Sequence, residues 1–246
     1  MDELLLFAAI GFAAQLVDGA LGMAYGVTAT TVMLSMGTPP AVASASVHAA
    51  EVFTTGASGL AHWRFGNIDR DLLWQLALPG MAGGALGAFL LTAIPGETIR
   101  PLVSVYLLAM GGVILWKALR TRVEADRKAK SVPLLGVVGG FLDAIGGGGW
   151  GPMVASTLLS NGTAPRYAIG SVSAAEFFVT SVISATFILT IGLALWPIII
   201  GLILGGVLAA PFAAYVTQRL PDRPLMILVA VLVILLSTRN IFQALS

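Results

Sequence analysis

Four carboxylates, Asp18, Glu51, Asp143 and Glu176, stand among residues apolar enough to lie in lipid. An ionisable group in such a setting is costly and is a functional candidate by default. The four form two pairs with one common offset, about 125 residues, as expected of an internal repeat. Around the first and third of them the chain turns to glycine. Residues 139–153 read GGFLDAIGGGGWGPM, and residues 11–27 read GFAAQLVDGALGMAYGV, a partial copy. Glycine lets a backbone reverse without side-chain clashes, and an unwound turn presents bare N–H groups to an anion. The candidate substrate-binding residues are therefore Gly22, Tyr25 and Gly26 in the first copy and Gly147, Gly148, Gly149, Trp150 and Gly151 in the second. Ser46, His48, Ser171 and Ser173, on the stretches that follow, complete the set.

Each carboxylate has two readings. Glu51 follows Pro40, and Glu176 follows Pro165, by about 11 residues, which at about 1.5 Å per residue is roughly 16 Å, near the middle of a bilayer core about 30 Å thick. The glutamates either carry protons or hold the repeat together by bonding backbone, and both readings stay open. Asp18 and Asp143, just before the glycines, are read first as caps accepting backbone N–H bonds and second as proton carriers. His48, Glu51, Thr55, Ser58 and His62 share one helical face, and Ser173, Glu176, Thr180 and Ser184 make the matching stripe. His48 is the strong asymmetry, since its counterpart is Ser173. It is either a neutral core histidine or a proton or substrate ligand.

Enzyme chemistry is not expected. Gly56-Ala57-Ser58-Gly59 has the pattern of a membrane-embedded serine protease, but such a site needs a histidine from another helix, and His48 and His62 share one. Two histidines and no cysteine also make a poor transition-metal set, so neither metal nor cofactor is expected.

The elements that must position these residues are membrane helices. The chain is 57% hydrophobic and 10% charged, with a mean hydropathy of +0.93. Most of its surface must face lipid. A net charge of +1 gives no sign of a nucleic-acid partner. The opening MDELLLF lacks a basic region, so no cleaved signal peptide is expected. Segments 44–63, 72–94, 101–117, 168–193, 197–216 and 225–242 approach or exceed the length of about 20 residues that crosses a bilayer. Segments 4–36 and 133–159 are different. The first is interrupted at 18–24 and the second at 143–149, leaving pieces of about 10–16 residues, the size of half-helices. The offset that pairs Asp18 with Asp143 also pairs Gly37-Thr38 with Gly162-Thr163, Pro40 with Pro165, Ser46-Val47 with Ser171-Val172 and Ala49-Ala50-Glu51 with Ala174-Ala175-Glu176. Thr38 and Thr163 are read as caps opening the next helix, with proline in its first turn.

The fold expected is all-α and polytopic: a first repeat at 1–120, a basic linker at 121–131 and a second repeat at 132–246. Each repeat is a broken re-entrant hairpin followed by three transmembrane helices. Residues 117–130, KALRTRVEADRKAK, should be cytoplasmic. If each broken segment returns to its starting side, each repeat crosses three more times, an odd number, and the second repeat is inverted. Residues 62–71 and 220–224, with their arginines, then lie inside. The uncharged turn 192–196 lies outside. Arg239, near the outer end of the last helix, runs against this assignment. Inverted repeats with broken helices describe a secondary transporter whose site lies at the repeat interface.

With these motifs in place, the sequence resembles the TauE/SafE sulfite-exporter family of bacterial membrane transporters. The resemblance rests on the two glycine-rich motifs and on SASVHAAEVFTT and GSVSAAEFFVT, and covers nearly the whole chain. The first motif keeps only Gly22 and Gly26 of the cluster. The resemblance implies a small anionic substrate, sulfite or an organosulfonate such as sulfoacetate, exported across the bacterial inner membrane. A proton-coupled anion importer is the alternative, and an anion channel ranks below it. Beyond the substrate and the lipid bilayer no partner is implied, and the oligomeric state is not encoded legibly.

Overall fold

The structure, a computed structural model, describes residues 2–21, 23–119, 131–192, 196–219 and 222–245. The first half runs α1 (Asp2–Leu21), α2 (Tyr25–Ser35), α3 (Pro40–Arg64), α4 (Arg70–Ala93) and α5 (Gly96–Leu119). The second runs α6 (Val132–Gly146), a π-helical turn (Trp150–Ala155) leading into α7 (Ser156–Ser160), α8 (Pro165–Ile191), α9 (Trp196–Arg219) and α10 (Asp222–Leu245). Every segment expected to be helical is helical, and no strand occurs among the described residues. Most of the linker and Gly22 lie outside the described residues.

Both expected breaks are present, but they are shorter than the sequence suggested. α1 continues for 20 residues, so Asp18 lies within its last turn, and the described residues of the interruption are 23 and 24. Asp143 likewise lies within α6, and only Gly147–Gly149 leave the helix before the π turn. An aspartate can stay helical here because its side chain reaches forward to the N–H groups beyond the break. The expectation for the threonines needs correction. α3 and α8 begin at Pro40 and Pro165 as expected, but the residues before them, Pro39 and Ala164, are extended and no side chain caps either helix. Proline fixes the backbone angle and supplies no N–H, so the first turn has fewer donors to satisfy.

Four helical stretches among the described residues are long and apolar enough to cross a membrane: Arg70–Ala93, Gly96–Leu119, Arg166–Ile191 and Met226–Gln243. α3 is 25 residues long but bears the polar stripe, which lowers its hydropathy. Leu78, Phe89, Leu189 and Leu235 are more than half exposed, the condition of side chains that face lipid. This is a multi-pass helical membrane protein.

Packing between the halves is reciprocal. α1 lies along α9, and α6, its repeat counterpart, lies along α4. α3 packs on its own counterpart α8, and α5 on α10. These contacts use small residues, as helix pairs in lipid do. A Cβ on Gly136 of α6 would come within 2.7 Å of the Leu76 carbonyl of α4, so only glycine allows that approach. Between α3 and α8, Gly56 faces Phe177 while Gly59 faces Ala174. The residue number rises on one helix as it falls on the other, so these two counterparts are antiparallel.

Candidate functional site

The second break is organised by Asp143. Its Oδ1 accepts from the backbone N–H of Gly149 at 2.6 Å and of Trp150 at 3.0 Å. Gly147 closes α6 in the left-handed region, at φ 67°, and donates to the Asp143 carbonyl at 2.7 Å. The first break repeats the device: Oδ1 of Asp18 accepts from the Tyr25 N–H at 3.1 Å. There the left-handed residue is Ala24, at φ 97°, so this turn is held without glycine's freedom. The capping reading of both aspartates is thus visible as hydrogen bonds.

The two breaks meet. Thr30 Oγ1 donates to the Gly147 carbonyl at 3.1 Å, and the absent side chain of Gly26 leaves the place where Gly147 and Gly148 press against it. Tyr25 and Trp150, repeat counterparts, each anchor a turn to a distant helix: the Tyr25 hydroxyl donates to Leu202 O at 3.4 Å and the Trp150 indole to Val172 O at 3.2 Å. α5 braces both broken segments, with Arg100 donating to Leu34 O at the far end of α2 at 2.8 Å, Tyr106 to Gly148 O in the second turn at 3.4 Å, and Lys117 to Pro152 O. Lys117, counted in the sequence with the solvated linker, is half-buried against the second hairpin.

A cavity of about 260 Å³ opens beside the junction. All four carboxylates, Asp18, Glu51, Asp143 and Glu176, line it. So do Tyr25, Gly26, Gly148, Gly149, Trp150, Gly151 and Ser173 of the expected substrate set, together with Thr55, Ser58 and His62 of the polar stripe. Among the described residues no lysine or arginine does. The other expected residues that are described sit elsewhere. Gly147 lies behind the lining against Thr30. Ser46 Oγ donates to Val42 O of its own helix at 2.8 Å, and Ser171 Oγ accepts from the Asp69 N–H at 2.9 Å. Gln15 and Thr54 line the cavity without having been singled out. Gln15 lies one turn before Asp18, a spacing that puts both on one face of α1.

His48 stands behind this wall, fully buried. Its Nδ1 lies 2.8 Å from Ser44 O and donates to it, while Nε2 lies 3.3 Å from Asp143 Oδ2. Next to this contact Ser44 Oγ donates to Ala144 O at 2.5 Å, tying α3 to α6 again. His48, Glu51 and Asp143 bring one possible ligand atom each within 4.8 Å of one another, a set that sequence spacing did not reveal. Among the three, Nε2 of His48 and Oδ2 of Asp143 lie 3.3 Å apart. One carboxylate oxygen of Glu51 is buried without a partner.

Comparisons with known proteins give the family. The model of a family described as sulfite exporter TauE/SafE matches residues 7–240. The chain belongs to the TauE/SafE family. It is also 43% identical over 254 residues to a protein of Bacillus subtilis (strain 168) described as probable membrane transporter protein YtnM, covering 99% of this chain and 84% of that one. No solved structure matches. As a TauE/SafE member the chain is a membrane transporter. Within residues 139–153 the structure has its π turn and two backbone N–H groups bonded to the Asp143 carboxylate.

Proposed function

We propose that this protein exports a small sulfur oxyanion, sulfite or an organosulfonate such as sulfoacetate, across the bacterial inner membrane, with residues 117–130 on the cytoplasmic side. The observation that carries this reading is the cavity where the two broken segments meet. Unwound backbone is tolerated at membrane depth only where protein buries it or a cavity wets it, and here it does both. The antiparallel packing of the counterparts α3 and α8 supports an inverted relation between repeats 1–120 and 132–246. A two-fold axis along the membrane normal would leave counterparts parallel. Alternating access then consists of one repeat rocking against the other around the cavity.

The anion is held by the hydroxyls of Ser58 and Ser173 and by the dipole of α2; the Thr54 and Thr55 hydroxyls donate to the Glu51 carbonyl, and the Tyr25, Gly149 and Trp150 N–H groups to the two aspartates. With no lysine or arginine in the described lining, affinity is modest. Outward movement of a monoanion gains about 2.3 kcal/mol per 100 mV when the cytoplasm is negative, so export has its driving force in the membrane potential. Glu51 and Glu176 shape the cavity.

Reconstituted vesicles test this. Under an imposed potential without a pH gradient, labelled sulfoacetate should move toward the positive side, and the flux should survive Glu51→Gln and Glu176→Gln. Flux that demands a pH gradient and disappears with either glutamine supports the proton-coupled importer instead.

A further inference from the structure

The contact between His48 and Asp143 joins residues from different halves of the chain and is unsymmetric. Asp18, the counterpart of Asp143, has no such partner, because Ser173 stands where His48 would be repeated. We propose that His48 and Asp143 form a proton-binding site which latches α3 to the second hairpin, and that a proton there favours an anion in the adjoining cavity. The second half of this proposal rests on the anion-transport reading above.

Hydrogen-bond counting carries the first half. A neutral imidazole has one N–H. Here Nδ1 lies 2.8 Å from a backbone carbonyl, which can only accept, so the hydrogen is on Nδ1. Nε2 of a neutral ring is then an acceptor. It faces Asp143 Oδ2, also an acceptor when ionised, at 3.3 Å. Two lone pairs at that distance repel, and one added proton, on either atom, turns the repulsion into a hydrogen bond. Asp143 cannot easily turn aside, since Oδ1 is held by the N–H groups of Gly149 and Trp150. Nor can His48, fully buried and tied to Ser44. One proton between Nε2 and Oδ2 is what makes this contact a hydrogen bond. Loss of the proton opposes two buried acceptors and pushes α3 away from the hairpin, across the interface between the halves. Such an interface is where a transporter's two states differ.

The link to the anion is electrostatic. Without the proton the pair carries one net negative charge, and with it none. Asp143 lines the cavity with Asp18 of α1, Glu51 of α3 and Glu176 of α8. The other titratable groups around it are Tyr25 of α2, His62 of α3 and Tyr106 of α5, with Lys117 of α5 bonded to the Pro152 carbonyl. α4 and α9 contribute no titratable side chain to the described lining. Removing one negative charge from this wall favours a negative substrate, and by reciprocity the substrate favours the proton.

Asp143→Asn is the deciding variant. Its Oδ1 still accepts from Gly149 and Trp150 while its amide N–H donates to Nε2, so every bond of the protonated pair is kept with no proton to gain or lose. Calorimetry of sulfoacetate binding to the detergent-solubilised protein, in buffers of different ionisation heat, counts the protons taken up. The unsubstituted protein should take up close to one, with affinity falling about tenfold per pH unit on the alkaline side. Asp143→Asn should take up none, and its affinity should be flat with pH. Equal proton uptake by both, or none by the unsubstituted protein, overturns the proposal. If the unsubstituted protein binds no sulfoacetate, the transport reading is what fails, and the latch is judged without an anion. The chain has two histidines, so His62→Gln leaves His48 alone in nitrogen-15 histidine spectra. Its resonances should titrate with Asp143 present and lose that titration in Asp143→Asn. Resonances that stay fixed with Asp143 present, from pH of about 5 to 9, overturn the latch.

Discussion

A methyl group on Gly26 would lie 2.7 Å from Gly148 Cα, where the two turns touch. Gly112, on α5, has nothing within 4 Å of where its Cβ would be. The pair makes a controlled comparison. Gly26→Ala must separate the turns or strain them, an overpacking cost of about 1–3 kcal/mol. Its transport should fall by an order of magnitude or more, with a lower melting temperature in detergent. Gly112→Ala should transport normally and melt at or above the original temperature, because alanine restricts the unfolded chain and meets no neighbour. Normal flux through Gly26→Ala would mean that the close contact of the turns is not part of the site. At the same scale the capping bonds of Asp18 and Asp143 explain how two acidic side chains are accommodated in an apolar protein: each carboxylate answers N–H groups that no helix satisfies.

The broken helices matter as elements because each packs mainly on the other half. α1 lies on α9 and α6 on α4, so neither half can hold its own hairpin in place alone. Phe65 and Thr190 occupy repeat-equivalent positions after α3 and near the end of α8, and both are exposed. Inverted repeats place them on opposite sides of the membrane. The chain has no cysteine, so Phe65→Cys and Thr190→Cys can each be labelled with an impermeant thiol reagent in oriented vesicles. Phe65→Cys should react from the cytoplasmic side and Thr190→Cys from the outside. Labelling of both from one side would show the repeats to be parallel.

For the molecule as a whole, the distinction that matters is carrier against channel. The cavity lies against a junction of two turns that several hydrogen bonds and close contacts hold together. A carrier built this way must rearrange for each substrate, so external unlabelled sulfoacetate should accelerate efflux of labelled sulfoacetate, and the rate should saturate. A channel would show neither, and would show single-channel currents in planar bilayers.

The sequence by itself determined the class, the helices and the doubling. Composition left no alternative to lipid, and the glycine runs marked both breaks because a reversed backbone excludes most side chains. The shared offset of Asp18 with Asp143 and Glu51 with Glu176 identified the carboxylates, since acidic residues in apolar segments do not recur by chance composition. It did not reveal where the breaks begin, because a forward-reaching aspartate keeps its own residue helical and only the hydrogen bonds show it. It misread Thr38 and Thr163 as caps, since proline at the helix start already removes the need for one. Tertiary structure alone decided that both turns and all four carboxylates share one cavity. It alone set His48 against Asp143, 3.3 Å away although distant in sequence, and turned Lys117 from the linker onto the second hairpin. Local periodicity assigns a residue to a face. Which faces meet depends on small residues on separate helices letting backbones approach, and that complementarity exists only once the whole chain has packed.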